Sequence, residues 1–299
     1  MTLIDLIEHN ALVRLSLAAL LGMLVGSFLN VVIYRIPVML QREWRQQCCE
    51  FLELDEKKFS KDDPTAKLKV FDLVKPDSHC PQCNAPVRAW QNIPVISYLL
   101  LGGKCAHCKK GISIRYPIIE AVTGLLSVLV VWQFGATWLT LAVLVLTWAL
   151  IALTMIDFDH QLLPDNITLP LLWLGLLVNT LLPESDVSAT DAVLGAVFGY
   201  LSLWSLYWAF KLLTGKEGMG YGDFKLLGAL GAWMGWQSLL MIVILSSLVG
   251  AAVGISLLVF RGRDRNIPIP FGPYLAGAGF IALLWGDTLT ALYLDTMVH

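Results

Sequence analysis

The stretch Gly218-Met219-Gly220-Tyr221-Gly222-Asp223-Phe224-Lys225 places an acid at the end of a glycine-rich turn. Apolar segments flank it, Val193 to Leu213 before it and the run opening at Leu226 after it. An ionisable group where a helix enters a bilayer is expensive, which marks a functional site. The glycines allow positive φ or close approach of another chain, and they leave amide N–H groups uncovered beside the carboxylate. The competing reading is that Asp223 only caps the next helix, since Asp is a favoured N-cap. A second acid, Asp157, directly abuts an apolar run in Met155-Ile156-Asp157-Phe158-Asp159-His160-Gln161-Leu162-Leu163-Pro164-Asp165-Asn166, which reads as a loop. Two carboxylates brought together do not readily both ionise, so one keeps its proton while the other is charged. Such a pair activates water against a peptide bond, as in aspartic proteases. Asp165 follows Leu163-Pro164 and precedes an apolar run, so it reads as a helix cap. Asp159 and His160 read either as solvated loop residues or as members of the site.

The cysteines offer a different chemistry. Cys80-Pro81-Gln82-Cys83 and Cys105-Ala106-His107-Cys108 are two C-x-x-C pairs. Together they supply the four thiolates of a closed, structural zinc site. The linker, residues 84–104, is slightly longer than in the usual zinc ribbon. Disulfides are the alternative, but a cytoplasmic segment keeps its thiols reduced. A redox C-x-x-C would not need two matched copies. Cys48 and Cys49 fall outside this spacing and read as ordinary thiols; His79 and His107 are spare ligands to a shell that four cysteines complete.

The elements that must position these groups are membrane helices. The 299 residues are 57% hydrophobic and 15% charged, with mean hydropathy +0.67. A soluble domain carries about 25% charged residues. The composition therefore points to an all-α polytopic membrane protein. No dense basic block is interleaved with aromatics, which excludes nucleic acid as a partner. The first apolar run, Ala11 to Ile33, is about long enough to span a bilayer. Asp5 and Glu8 precede it without a basic residue, and no small-residue cleavage site follows, so it does not read as a signal peptide. Gly22 and Gly26 stand four apart, a close-packing face for another helix.

Residues 34–116 hold all six cysteines and most of the basic residues, and they read as a soluble insert after the first span (1–33) and before the membrane region 117–299. Further spans are expected at Pro117–Phe134, Trp138–Ile156, Ile167–Leu182, Ala192–Leu213, Phe224–Trp236, Ser238–Phe260 and Tyr274–Tyr293, about eight in all, with Phe224–Trp236 short for a crossing. Trp132, Trp138, Trp233, Trp236 and Trp285 stand near span ends, where an interfacial belt would place them. With the N-terminus outside, the inside segments are Tyr34–Tyr116, Asp157–Asn166, Thr214–Asp223 and Arg261–Pro273. Lys211, Lys216, Lys225, Arg261, Arg263 and Arg265 then all lie on or beside inside segments, as the positive-inside rule requires, with Arg14 the exception. Both acidic loops face the cytoplasm in this arrangement.

Several of these stretches resemble the type IV prepilin peptidases. They are residues 218–225 with the following Leu-Leu-Gly-Ala-Leu-Gly-Ala-Trp-Met-Gly-Trp at 226–236, Ile156-Asp157 with Leu163-Pro164-Asp165, Gly26-Ser27-Phe28-Leu29-Asn30 through Pro37, and the paired C-x-x-C. The resemblance covers nearly the whole chain except about Met39 to Lys75. It implies a bifunctional enzyme of the bacterial inner membrane. Such enzymes cut the basic leader from type IV prepilins and type II secretion pseudopilins after a glycine, on the cytoplasmic side. They then N-methylate the new terminal residue with S-adenosylmethionine. The resemblance puts the catalytic pair on Asp157 and Asp223 and the zinc ligands on Cys80, Cys83, Cys105 and Cys108. No Gly-x-Gly-x-x-Gly follows a predicted strand, so the methyl-donor pocket has no dinucleotide-type fingerprint. Gly102, Gly103 and Glu120, near the second knuckle and second span, are the candidates, with snorkelling to the interface the alternative for Glu120. Two other classes compete. A transporter or non-enzymatic assembly factor with a zinc domain would show internal repeats or mid-membrane charge, and neither is evident. A protease of the signal-peptide-peptidase type would need both acids deeper in the hydrocarbon.

Overall fold

The computed structural model describes residues 9–54, 70–261 and 269–298. Asp5, Glu8, Lys57, Lys58, Lys61, Lys67, Lys69, Arg263 and Arg265, used in the sequence argument, lie outside the described residues. The described residues are helical apart from turns and two isolated β-bridges. They fall into two compact units, residues 11–128 and residues 129–298 with the N-terminal end.

In the first unit, α1 (Ala11–Phe51) carries Pro37 inside it. At 1.5 Å per residue its 41 residues span roughly 60 Å, about twice a hydrocarbon core. The segment expected to become a soluble insert at Tyr34 thus begins as a continuation of this helix. Its charged residues hid that helix from a reading by hydropathy. A short 3₁₀ turn (Ala89–Asn92) and α2 (Ile96–Leu100) follow the first knuckle, and α3 (Arg115–Phe134) begins after the second. Gly22 and Gly26 form the close-packing face expected of them. A Cβ on Gly22 would meet Gly124 Cα of α3 at 2.8 Å, and one on Gly26 would meet Glu120 Cα at 2.8 Å. Thr123 and Ser127 of α3 turn their hydroxyls onto the carbonyls of Ile119 and Thr123, so both hydroxyls are satisfied within α3.

The second unit contains α4 (Trp138–His160), α5 (Asp165–Leu181), α6 (Ala189–Thr214), α7 (Tyr221–Met234), α8 (Leu239–Arg261) and α9 (Gly272–Val298). Helix α7 is its axis: from Asp223 to Met234 every residue except Lys225 is buried. Small residues on three neighbours admit it. Gly195 of α6 lies backbone to backbone against Gly231. Cβ atoms added at Gly199 and Gly279 would reach Leu227 O and Leu230 Cδ2, each at 2.6 Å. A Cβ added at Gly175 of α5 would strike the Trp233 ring at 2.5 Å.

Among the described residues, six helices are long and apolar enough to cross a membrane, not eight. The two remaining expected spans are α5, of 17 residues, and α7, of 14, roughly 21 Å long. Helix α7 packs against protein along its length and need not match the lipid thickness. Trp233 also departs from expectation. It is buried, donating Nε1–H to Leu171 O at 2.9 Å, so it belongs to the core and not to an interfacial belt.

Candidate active site and metal centre

Asp157 lies in the last turn of α4, one turn deeper in regular structure than a loop residue. The helix closes on Gln161 in the left-handed region, whose amide donates to Asp157 O at 2.8 Å. The chain then turns through Leu162, Leu163 and Pro164 into α5. The Asp157 carboxylate, 5% exposed, accepts from Gly272 N at 3.0 Å and so faces the N-terminus of α9. A side chain at 272 is excluded, since a Cβ would sit 2.6 Å from Asp157 Oδ2.

Asp223 occupies the first turn of α7 and is 7% exposed. Gly220, not Asp223, is the N-cap, so the purely capping role is not the one Asp223 plays. Its carboxylate lies beside the Gly220 backbone, where a Cβ would stand 3.8 Å from Asp223 Oδ2, and within electrostatic reach of Asp157. Leu163 spaces the two turns, because Cβ atoms at Gly222 and Gly272 would meet it at 2.7 and 3.1 Å. Each acid therefore lies against the positive end of a helix dipole, α7 for Asp223 and α9 for Asp157. Two buried carboxylates in mutual reach, with the Gly272 amide donating to Asp157, form a constellation able to share a proton and polarise water.

Asp165 is corrected. Pro164 holds the cap position, and both Asp165 carboxylate oxygens instead accept Lys225 Nζ at 2.7 Å, tying α5 to α7. Asp159 and His160 are exposed on the final turn of α4. Sequence reasoning missed Gly272, whose only local signal is the helix-opening Gly272-Pro273. It also missed the clamp on the glycine turn. Lys211 Nζ reaches Glu217 Oε1 at 2.7 Å and Tyr207 OH at 3.2 Å. The Tyr207 ring packs on Tyr221 and Phe224 at centroid distances of 5.3 and 5.7 Å. Both ends of the turn are thereby held.

In the other unit the Sγ atoms of Cys80, Cys83, Cys105 and Cys108 lie within 4.8 Å of one another, with Cys80 and Cys108 at 3.9 Å. A tetrahedron of Zn–S bonds has edges of about 3.8 Å, so the donor set fits zinc. The two knuckles repeat one geometry. Asn84 N donates to Cys80 O at 2.9 Å and Lys109 N to Cys105 O at 3.0 Å, with positive φ at Asn84 and Lys109. Backbone amides of Cys108 and His107 hold the Cys105 thiol down at about 6, favouring the thiolate a metal needs. Neither His79 nor His107 belongs to the cluster, and Cys48 and Cys49 lie apart from it on α1.

Gly102 and Gly103 both have positive φ. A Cβ on Gly103 would strike the Tyr98 hydroxyl at 2.9 Å, whereas Gly102 has open space around it. Glu120 does not snorkel. It is buried, accepting from Val95 N at 2.7 Å and from the Ser27 hydroxyl.

Residues 20–134 match the model of the Bacterial Peptidase A24 N-terminal domain, and residues 144–255 that of the Type IV leader peptidase family. Curated relatives bear the name prepilin leader peptidase/N-methyltransferase. The one from Stutzerimonas stutzeri is 55% identical over 99% of both chains. That from Pseudomonas aeruginosa is 54% identical over 99% of this chain and 98% of its own. A relative from Neisseria gonorrhoeae is 54% identical over 91% of each. No solved structure matches the chain. The chain belongs to the prepilin leader peptidase/N-methyltransferase family.

Proposed function

As a member of that family, we propose, this multi-pass membrane enzyme cleaves the basic leader of type IV prepilins and type II secretion pseudopilins after glycine and then N-methylates the new terminal residue. The observation that carries the proteolytic half is the buried pair Asp157 and Asp223 at neighbouring helix ends. The charged member takes a proton from water while the protonated one donates to the scissile carbonyl, and later a proton passes to the leaving amine. The Gly272 amide orients the Asp157 carboxylate.

Zinc, held by Cys80, Cys83, Cys105 and Cys108, has a closed thiolate shell and serves to fold the insert. S-adenosylmethionine supplies the methyl group when bound. Open space at Gly102 and the buried carboxylate of Glu120 suit a cationic sulfonium, with Gly103 shaping the backbone beside them. We assign proteolysis to residues 117–299 and dependence of methyl transfer to the insert 34–116.

Together with α1, helices α3 to α9 alternate through eight segments, α5 and α7 being the short ones. The end of α4 and the starts of α5, α7 and α9 meet at one end, through Asp157 with Gly272 and Asp165 with Lys225. Lys211, Lys216, Lys225 and Arg261 stand at that end, while residues 182–188 and 235–238 at the other carry no base. This distribution of bases supports, by the positive-inside rule, a site on the cytoplasmic face of the inner membrane.

The test is incubation of the purified membrane protein with a model prepilin and labelled S-adenosylmethionine, followed by mass analysis of the product's N-terminus. The expected product has lost its leader and carries one methyl on the new amine. An unaltered prepilin would sink the reading.

A further inference from the structure

Helix α2 lies in the segment expected to be soluble, yet its outward side chains are apolar. Ile96, Leu99 and Leu100 share one helical face and are 53%, 70% and 77% exposed. Trp90 and Ile93 before it, and Ile112 and Ile114 after it, are exposed as well. Pro94 and Ser97 turn inward, so the helix is not merely unfolded apolar chain. Singly exposed apolar residues need no explanation, but a contiguous apolar face does.

The depth of this face follows from its attachments. Val95, the residue before α2, donates its N–H to Glu120 Oε2 at 2.7 Å. Glu120 lies five residues inside α3, about 8 Å along its axis from Arg115. Helix α3 is a membrane-capable helix of 20 residues, so its roughly 30 Å length only just covers the hydrocarbon core. A residue bonded at position 120 is therefore level with the membrane entry and not above it. The far end of α2 is tied down too. Gly103 N donates to Tyr98 O at 2.8 Å, and Ile112 N, three residues before α3, donates to Gly103 O at 2.7 Å. Val95 itself has φ of +58° with ψ of −49°, a positive-φ conformation rare for a β-branched residue. The sequence flanking α2 carries the exposed bases Arg88, Lys104, Lys109 and Lys110. Apolar side chains at the entry depth with exposed bases in the flanking sequence are the pattern of an element lying in a bilayer interface.

We propose that Ile96, Leu99 and Leu100 form an interfacial anchor that lies in lipid beside the entry of α3, with Lys104, Lys109 and Lys110 against anionic headgroups. The anchor clips the zinc knuckles to the membrane surface. This depends on α3 crossing the membrane and not on the assignment of catalytic residues.

The test uses the full-length, zinc-loaded protein in nanodiscs of phosphatidylethanolamine and phosphatidylglycerol. A fluorescent amino acid is placed by codon suppression at Leu100, at Leu99 in a second variant, and at Phe51 as an exposed reference. Doxyl groups shallow in the acyl chains should quench the probes at Leu99 and Leu100 several-fold more than the probe at Phe51. Aqueous iodide should show the reverse order. Iodide quenching at Leu99 and Leu100 equal to that at Phe51 would overturn the proposal. So would protection from both quenchers, which would mean that protein, either a second copy or a substrate helix, covers the face.

Discussion

Asp157 and Asp223 are almost wholly buried among helices whose facing residues are apolar or glycine, whereas Cys80, Cys83, Cys105 and Cys108 stay partly exposed in a segment with little core of its own. The carboxylates are placed by packing. Small residues on α5, α6 and α9 let α7 sit at the centre of its unit, and that sets where Asp223 emerges. The thiolates are placed by turn geometry repeated twice and by the metal their spacing fits. The difference implies distinct failure modes. A lost carboxylate should remove chemistry and leave the fold intact; a lost thiolate should remove fold; a crowded glycine should affect both.

The largest effect is expected at the pair. Asp157→Asn or Asp223→Asn should reduce prepilin cleavage on the order of a hundredfold to ten-thousandfold, the usual worth of acid–base catalysis. Membrane insertion and thermal midpoint should be unchanged. Either variant should still methylate a synthetic pilin peptide that begins at its mature residue. If Asp223→Asn cleaves at a near-normal rate, the pair is misassigned. If the pre-cleaved peptide takes no label although wild type labels it, the two regions are not independent.

Metal removal comes next. Structural zinc contributes about 10–16 kcal/mol to small cysteine domains. Chelation, or Cys105→Ser, should therefore abolish amide-exchange protection across residues 78–112 while α7 keeps its own. Elemental analysis should return zinc, and disappearance of that zinc should track the loss of protection. Equal loss of protection in α7 would show that packing and metal do not act on separate regions.

Gly195→Ala tests the packing half. Its Cβ would collide with the Gly231 backbone, a group that cannot swing aside. Overpacking of this kind costs typically 1–3 kcal/mol. The expected result is a lower unfolding midpoint in detergent with zinc content unchanged. A midpoint equal to wild type would mean that α6 and α7 shift apart freely.

The smallest effect is expected at the Asp165–Lys225 ion pair, where the carboxylate is half exposed. Such pairs are worth about 0–1 kcal/mol, so Asp165→Asn should retain substantial cleavage activity. A loss as deep as that of Asp157→Asn would move Asp165 into the reacting group and overturn the pairing proposed above.

The sequence by itself determined those features whose signal is short-range. The two cysteine pairs are legible because a knuckle needs its ligands three apart. Asp223 is legible because its glycines and its apolar flanks are contiguous, and Gly22 and Gly26 because one helical turn separates them. Overall hydropathy was enough for the membrane class. Only the tertiary structure decided which groups meet across distance. Gly272 reaches Asp157 across 115 positions and Lys225 reaches Asp165 across 60, and no local spacing encodes either contact. The same holds for helix length. Hydropathy reports that a segment avoids water, but not whether lipid or protein surrounds it. It therefore put Trp233 at an interface, although protein surrounds it, and gave no sign that α7 is lined by protein along its length. It also gave no sign that α2, within the expected insert, is tied through Val95 to Glu120 of α3.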